Sequence, residues 1–73
     1  MAETRHGRVA GFDDRRGLGE VEADDGTRLP FHCTAIADGS RRIVPGTAVA
    51  FEVVAGPLGR TEAAGLRAEP ARA

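Results

Sequence analysis

Alternation of apolar with polar or small residues is the main pattern in this chain. In an extended strand, alternate side chains point to opposite faces, so this pattern predicts strands with one buried face. The clearest example is 47–55, where Val49, Phe51 and Val53 are the inward positions. Four further segments are predicted as strands on weaker versions of the pattern: 5–13, 16–23, 28–33 and 60–67.

Turn residues connect the first three of these segments. Asp24-Asp25-Gly26-Thr27 is the strongest turn signal, because Asp-Gly is favoured where consecutive residues need positive φ. Asp13-Asp14-Arg15 is a second polar turn, since aspartates at a turn entry bond their own backbone. The first three strands are therefore predicted to form an antiparallel meander.

The second strand is predicted to have one core side and one surface side. Gly17, Gly19 and Val21 share the core side, and Leu18 and Glu20 share the surface side. In the third strand the inward positions are Leu29 and Phe31, and the outward positions are Pro30 and His32. Pro30 has no N–H and is predicted at a sheet edge or at an unpaired position. The other predicted core positions are Val9, Ile36, Ile43, Ala64 and Leu66.

Length and composition favour one small domain. At 73 residues, only about 60% of the unfolded surface can be buried. We expect the domain to span 1–67 and the segment 68–73, which holds Pro70 and no periodicity, to be disordered. No apolar run approaches the roughly 18 residues that span a membrane, and no signal peptide is evident after Met1. The expected location is the cytoplasm.

Five short strands without an amphipathic helix predict an all-β protein, a small barrel. Three stretches resemble the cold-shock domain: Gly7–Phe12, Arg16–Val21 and Leu29–His32. In that family the first ribonucleoprotein motif reads Lys-Gly-Phe-Gly-Phe and the second Val-Phe-Val-His. The resemblance covers about 7–66, and it implies a five-stranded antiparallel Greek-key barrel of the oligonucleotide/oligosaccharide-binding type (OB-fold).

The resemblance also implies single-stranded RNA or DNA as the partner, because the family stacks bases on exposed aromatic rings. This chain keeps few of those rings. Leu18 and Glu20 stand at the two phenylalanines of the first motif, and Pro30 stands at that of the second. If each lost ring were worth ~1–3 kcal/mol, affinity would fall by about three orders of magnitude or more. Phe12 and His32 are retained.

Net charge is −1, and all ten basic residues are arginine. Arginine stacks on bases and pairs with phosphates, and Arg16 stands at the family's first-motif lysine. An equally weighted alternative is that these arginines are solvent charges balanced by nearby acidic residues. The predicted nucleic-acid-binding residues are Phe12, Arg16, Leu18, His32, Arg8 and Arg41.

Enzymatic chemistry has little support in the sequence. Cys33 is the only cysteine, and a strand would turn it away from His32, so no metal or cofactor is expected. Gly17-Leu18-Gly19 is only a fragment of a dinucleotide motif. We therefore predict no enzyme, but a weak, sequence-tolerant single-strand binder. The alternatives are an adaptor that docks a protein partner on the same face, through Leu18 beside Pro30, and a family member with no binding role.

Overall fold

The structure, a computed structural model, describes residues 3–56 and 59–69. Within these ranges the chain forms one antiparallel sheet in the order β3-β2-β1-β4-β5. The strands are β1 (Thr4–Asp13), β2 (Leu18–Ala23), β3 (Arg28–His32), β4 (Ala48–Ala55) and β5 (Thr61–Ala68). The predicted all-β class is confirmed.

The connection after β3 makes the topology a Greek key. It begins with a 3₁₀ turn, Cys33–Ala35, and returns the chain so that β4 pairs with β1, the arrangement that defines this motif. Ile36 then bridges to Leu66 in parallel, and the Ala37 N–H donates to the Leu66 carbonyl at 2.8 Å. β3 and β5 therefore lie side by side, as expected for a small barrel. No ladder joins them within the described residues, and we call the line between them the seam.

The core contains the residues that alternation predicted. Phe31 and Phe51 are at most 1% exposed, and Ile43 and Val53 are partly buried against the same cluster. One inward position is wrong: Ala63, not Ala64, is buried on β5. The buried core residues are Val9, Val21, Ala23, Leu29, Phe31, Ile36, Val49, Phe51, Ala63 and Leu66.

A bulge in β5 explains the wrong position. Between the pairs Ala50–Arg67 and Glu52–Ala64, β4 advances two residues and β5 advances three. Gly65 supplies the extra residue with a φ of 60°, a left-handed conformation that costs glycine little. Because the bulge interrupts the two-residue period, the buried residues on its two sides are three positions apart.

The first turn is longer than predicted, and β2 begins at Leu18 rather than at Arg16. The Asp13 carboxylate accepts the N–H of Arg15 at 3.0 Å and of Arg16 at 3.2 Å. The Gly17 N–H donates to the Asp13 carbonyl at 2.8 Å, and the φ of Gly17 is 66°. These bonds keep Arg16 in the turn, at the end of the hairpin.

The C-terminal boundary also differs from the prediction. Ala68 belongs to β5, and the Glu69 N–H donates to the Ala48 carbonyl at 2.8 Å. The rest of the predicted tail, 70–73, and residues 57–58 of the predicted turn between β4 and β5 lie outside the described residues. Within the described part of the chain, no helix is long and apolar enough to cross a membrane.

Candidate nucleic-acid interface

The outward side chains of β1, β2 and β3 form one surface, which we call the outer face. Strand register arranges them in three rows, because cross-strand partners lie side by side on one face. The rows are Arg8–Glu22–Arg28, Gly11–Glu20–Pro30 and Asp13–Leu18–His32.

Leu18 is the main apolar feature of the outer face. It is 49% exposed and lies opposite His32 on β3, whereas its diagonal neighbour Pro30 pairs with Glu20. A shallow, mostly apolar depression opens beside it. The depression is lined by Leu18, Gly19, Pro30, Phe31, His32 and Glu62. An apolar surface of this kind can contact the flat face of a base or the side chain of a protein.

His32 is held in place by the turn that follows it. Its Nδ1 accepts the N–H of Thr34 at 3.3 Å and lies 3.0 Å from the Thr34 hydroxyl. An accepting Nδ1 places the proton of the neutral ring on Nε2. His32 is exposed, so it presents Nε2–H as a hydrogen-bond donor at the edge of the apolar depression.

Phe12 lies elsewhere than predicted. β1 has one residue more than β2 between the pairs Val9–Val21 and Gly11–Glu20, and this bulge at Ala10 returns Phe12 to the inner side. The ring is half-buried against the core and stacks on Phe31, with centroids 5.8 Å apart and planes 3° apart. A contact between Phe12 and a base stays a prediction.

The charges of the outer face largely pair with one another. Arg28 Nη1 lies 3.1 Å from Glu20 Oε1, and Arg28 Nε lies 3.9 Å from Glu22 Oε2. Arg16 Nε is 3.9 Å from Asp13 Oδ2, but its side chain is 78% exposed. Arg28 therefore contacts two carboxylates, whereas Arg16 has a single contact at 3.9 Å; all of these pairs are exposed, so each can be broken at little cost.

Arg8 and Arg41 have different surroundings. Arg8 lies at the far end of the outer face from Leu18, in the row with Glu22. Arg41 lies in the connection between β3 and β4 with a φ of 60°. Among the described residues, neither has an ion-pair partner within 4.0 Å. Arg8 is thus a free cation on the outer face, and the role of Arg41 in binding stays a prediction.

Two features of the surface were missed at the level of sequence. One is the bond between Glu20 and Arg28: the turn at 24–27 fixes the β2–β3 register and so places Arg28 near Glu20 and Glu22, but it does not show which of the two is bonded. The other is a cleft beside Arg60 and Thr61, across the seam. Its existence depends on barrel closure, for which the local sequence carries no signal.

Cys33 does not face away from His32 as predicted. It begins the 3₁₀ turn instead of continuing β3, and its Sγ lies 3.8 Å from His32 Nδ1. Across 3–56 and 59–69, no group of three or more His, Cys, Asp or Glu residues is placed to hold a metal ion.

The five-stranded Greek key, with the two motif strands β2 and β3 adjacent in its sheet, defines a small barrel of the OB type. No protein-family model matches the chain. A cold shock protein of Bacillus subtilis (strain 168), CspD, is 36% identical over 56 residues, which cover 75% of this chain and 85% of the relative. The chain belongs to the cold-shock protein family. Membership supports nucleic-acid binding, rather than catalysis, at the level of the family.

Proposed function

We propose that this protein binds single-stranded RNA or DNA on the outer face, weakly and with little sequence preference. The observation that carries this proposal is the exposed apolar group of Leu18 and Pro30 beside the Nε2–H of His32, between the exposed cations Arg8 and Arg16. Apolar and π contacts with bases tolerate any sequence, and arginines on both sides neutralise phosphates.

The low affinity follows from what the outer face lacks. Leu18 offers apolar contact but no π-system, and the ring of Phe12 stacks on Phe31 at the inner side. Glu20 places a carboxylate in the middle of the face and occupies Arg28. Stacking contributes ~1–3 kcal/mol per base, so a face with few free rings binds far less tightly than one with several.

Arg16 provides the direct test. Arg16→Ala removes one phosphate contact, so it should weaken binding of a fluorescent oligopyrimidine and lower the slope of log affinity against log salt by about 0.7. Arg5→Ala is the matched control, because Arg5 bonds Asp25 at 2.7 Å and lines no part of the apolar depression. Equal slopes for Arg16→Ala and the unmodified protein would rule out single-strand binding at this end of the face.

The second candidate function is docking of a protein partner on the same face. It is favoured by the exposure of Leu18 beside Pro30, since an exposed apolar side chain on a nearly neutral patch suits a protein contact. Leu18→Asp should then abolish the complex, and Arg16→Ala should mainly change the association rate. A protein that binds oligonucleotides with the predicted salt dependence rejects docking as the primary role.

A further inference from the structure

Backbone groups of β3 point into the seam. In an antiparallel ladder, alternate residues bond to the neighbouring strand, and the residues between them point away from it. The Cys33 N–H donates to the Gly17 carbonyl on the β2 side at 2.7 Å. Phe31 and Leu29, the alternate residues before Cys33, therefore also bond towards β2, and the backbone of Pro30 between them faces the seam. Since proline has no N–H, only its carbonyl is presented there.

β5 presents a donor to the same seam. The Gly56 N–H donates to the Arg60 carbonyl at 2.6 Å, so Arg60 bonds towards β4 and the next residue, Thr61, points its N–H towards β3. Within the described residues, no ladder joins β3 to β5. The Thr61 N–H is thus available to a ligand in the seam.

A cleft opens where these groups meet, and we call it the seam cleft. It contains two guanidinium groups, one carboxylate, one hydroxyl and a glycine. The lining residues are Glu20, Arg28, Pro30, Gly59, Arg60 and Thr61. Arg60 is exposed and has no ion-pair partner within 4.0 Å among the described residues. Arg28 is balanced by Glu20 and by Glu22, whose Oε2 lies 3.9 Å from Arg28 Nε, so Arg60 is the cation of the cleft that is left unpaired within the described part of the chain.

The seam cleft already holds an anionic group of the protein itself. Glu20 Oε1 lies 3.1 Å from Arg28 Nη1, a distance expected for a charge-assisted bond. The Glu20 carboxylate occupies Arg28 as a phosphate oxygen would. A phosphodiester has two charged oxygens, as a carboxylate does, and Arg28, Arg60 and Thr61 line the same cleft as candidate donors to them.

Where β3 and β5 are in contact, their spacing disfavours a peptide strand as the occupant. Some Cα atoms of the two strands lie within 8 Å of one another, whereas a peptide strand inserted between them needs about 9.5 Å, twice the usual spacing. A small anion on the rim of the seam meets no such limit.

We propose that the seam cleft binds one phosphate group of the single strand, through Arg60, Thr61 and Arg28 after displacement of Glu20. This inference rests on the proposed function and extends the interface from the outer face across the seam to β5. Pro30 lines both the seam cleft and the apolar depression. One nucleotide therefore places its base over Leu18 and its phosphate at Arg60. Glu20 competes with that phosphate and limits affinity.

Oligopyrimidine titrations at several salt concentrations test the proposal. Arg60→Gln should lower the salt slope by about 0.7. Glu20→Gln should raise affinity by up to about fivefold, the worth of an exposed ion pair, and steepen the slope, because Arg28 becomes free. Adding Arg28→Gln to Glu20→Gln should remove that gain. Glu3→Gln removes the same charge outside the seam cleft, so it should neither raise the affinity nor steepen the salt slope.

Two outcomes distinguish failure of this inference from failure of the proposed function. If the oligonucleotide binds with the expected loss in Arg16→Ala, but Arg60→Gln matches the unmodified protein, then the seam cleft holds no phosphate. If no oligonucleotide binds, the Glu20→Gln protein is titrated with inorganic phosphate and followed by NMR. A saturable shift of the Thr61 amide that disappears with Arg60→Gln supports the anion site, whereas a Thr61 shift no larger than that of Glu3 overturns it.

Discussion

Leu18→Phe adds a ring to the outer face without disturbing the core. Leu18 points outward and is 49% exposed, opposite His32. The larger side chain therefore extends into solvent beside the apolar depression. We expect the free energy of unfolding to change by less than about 0.5 kcal/mol, as for other surface substitutions.

The gain in binding follows from one stacking contact. A ring that stacks on a base contributes ~1–3 kcal/mol, so affinity for a single strand should rise between about 5-fold and about 150-fold. Leucine already provides some apolar contact at this position, which favours the lower half of that range. The salt slope should not change, because no phosphate contact is added.

Fluorescence anisotropy with a labelled oligopyrimidine measures the effect, and Val54→Phe is the matched control. Val54 is 37% exposed and lies on β4, away from the outer face. We expect a gain in oligopyrimidine affinity for Leu18→Phe alone. If both variants gain equally, or neither gains while both remain folded, bases do not contact the outer face at Leu18.

Three predictions concern stability. Phe51→Ala should lower the free energy of unfolding by ~3–5 kcal/mol, because Phe51 is fully buried. A cooperative unfolding transition at the original denaturant midpoint would contradict the position of Phe51 in the core. Gly65→Ala should cost more than Gly59→Ala: both glycines have positive φ, but only at Gly65 would the new Cβ contact Glu52, 2.5 Å from Oε1. The Arg67 hydrogen bond holds the pKa of the Glu52 carboxyl below its ordinary value. The bond between the Glu52 carboxylate and Arg67 therefore stabilises the fold above about pH 4.3, and this stabilisation is lost as the pH falls through the lowered pKa of Glu52 in the folded state. The melting temperature of Arg67→Gln should therefore fall less on acidification than that of the unmodified protein.

The strands and their buried faces were predictable because burial imposes a two-residue period on each strand. Where an extra residue enters a strand, that reasoning fails. Gly65 inside an apolar pattern is a recognised signal of a bulge, and it explains why Ala63 replaces Ala64 in the core. Gly11 carries the same signal next to the bulge at Ala10, but Gly7 and Gly19 lie inside strands at positions without a bulge. The pattern therefore did not single out this position or predict the half-buried Phe12.

The candidate site was predictable only in part. Alternation placed Leu18 and His32 outward, and the structure brings them together as cross-strand partners. The partner of Arg28 was not predictable, because a long side chain opposite Glu22 can also reach the diagonal Glu20, as it does. The seam cleft requires the closure of β3 on β5, which involves residues about 30 positions apart and depends on tertiary packing.

The most direct test of the central claim is a titration of the unmodified protein with a fluorescent oligopyrimidine at several salt concentrations. We expect weak binding at about 0.01 M salt, where charges are least screened. Log affinity should then fall linearly with log salt, with a slope of at least about 0.7, as expected when one or more phosphates are neutralised. A folded protein that leaves the anisotropy unchanged at the lowest salt would contradict single-strand binding by this barrel.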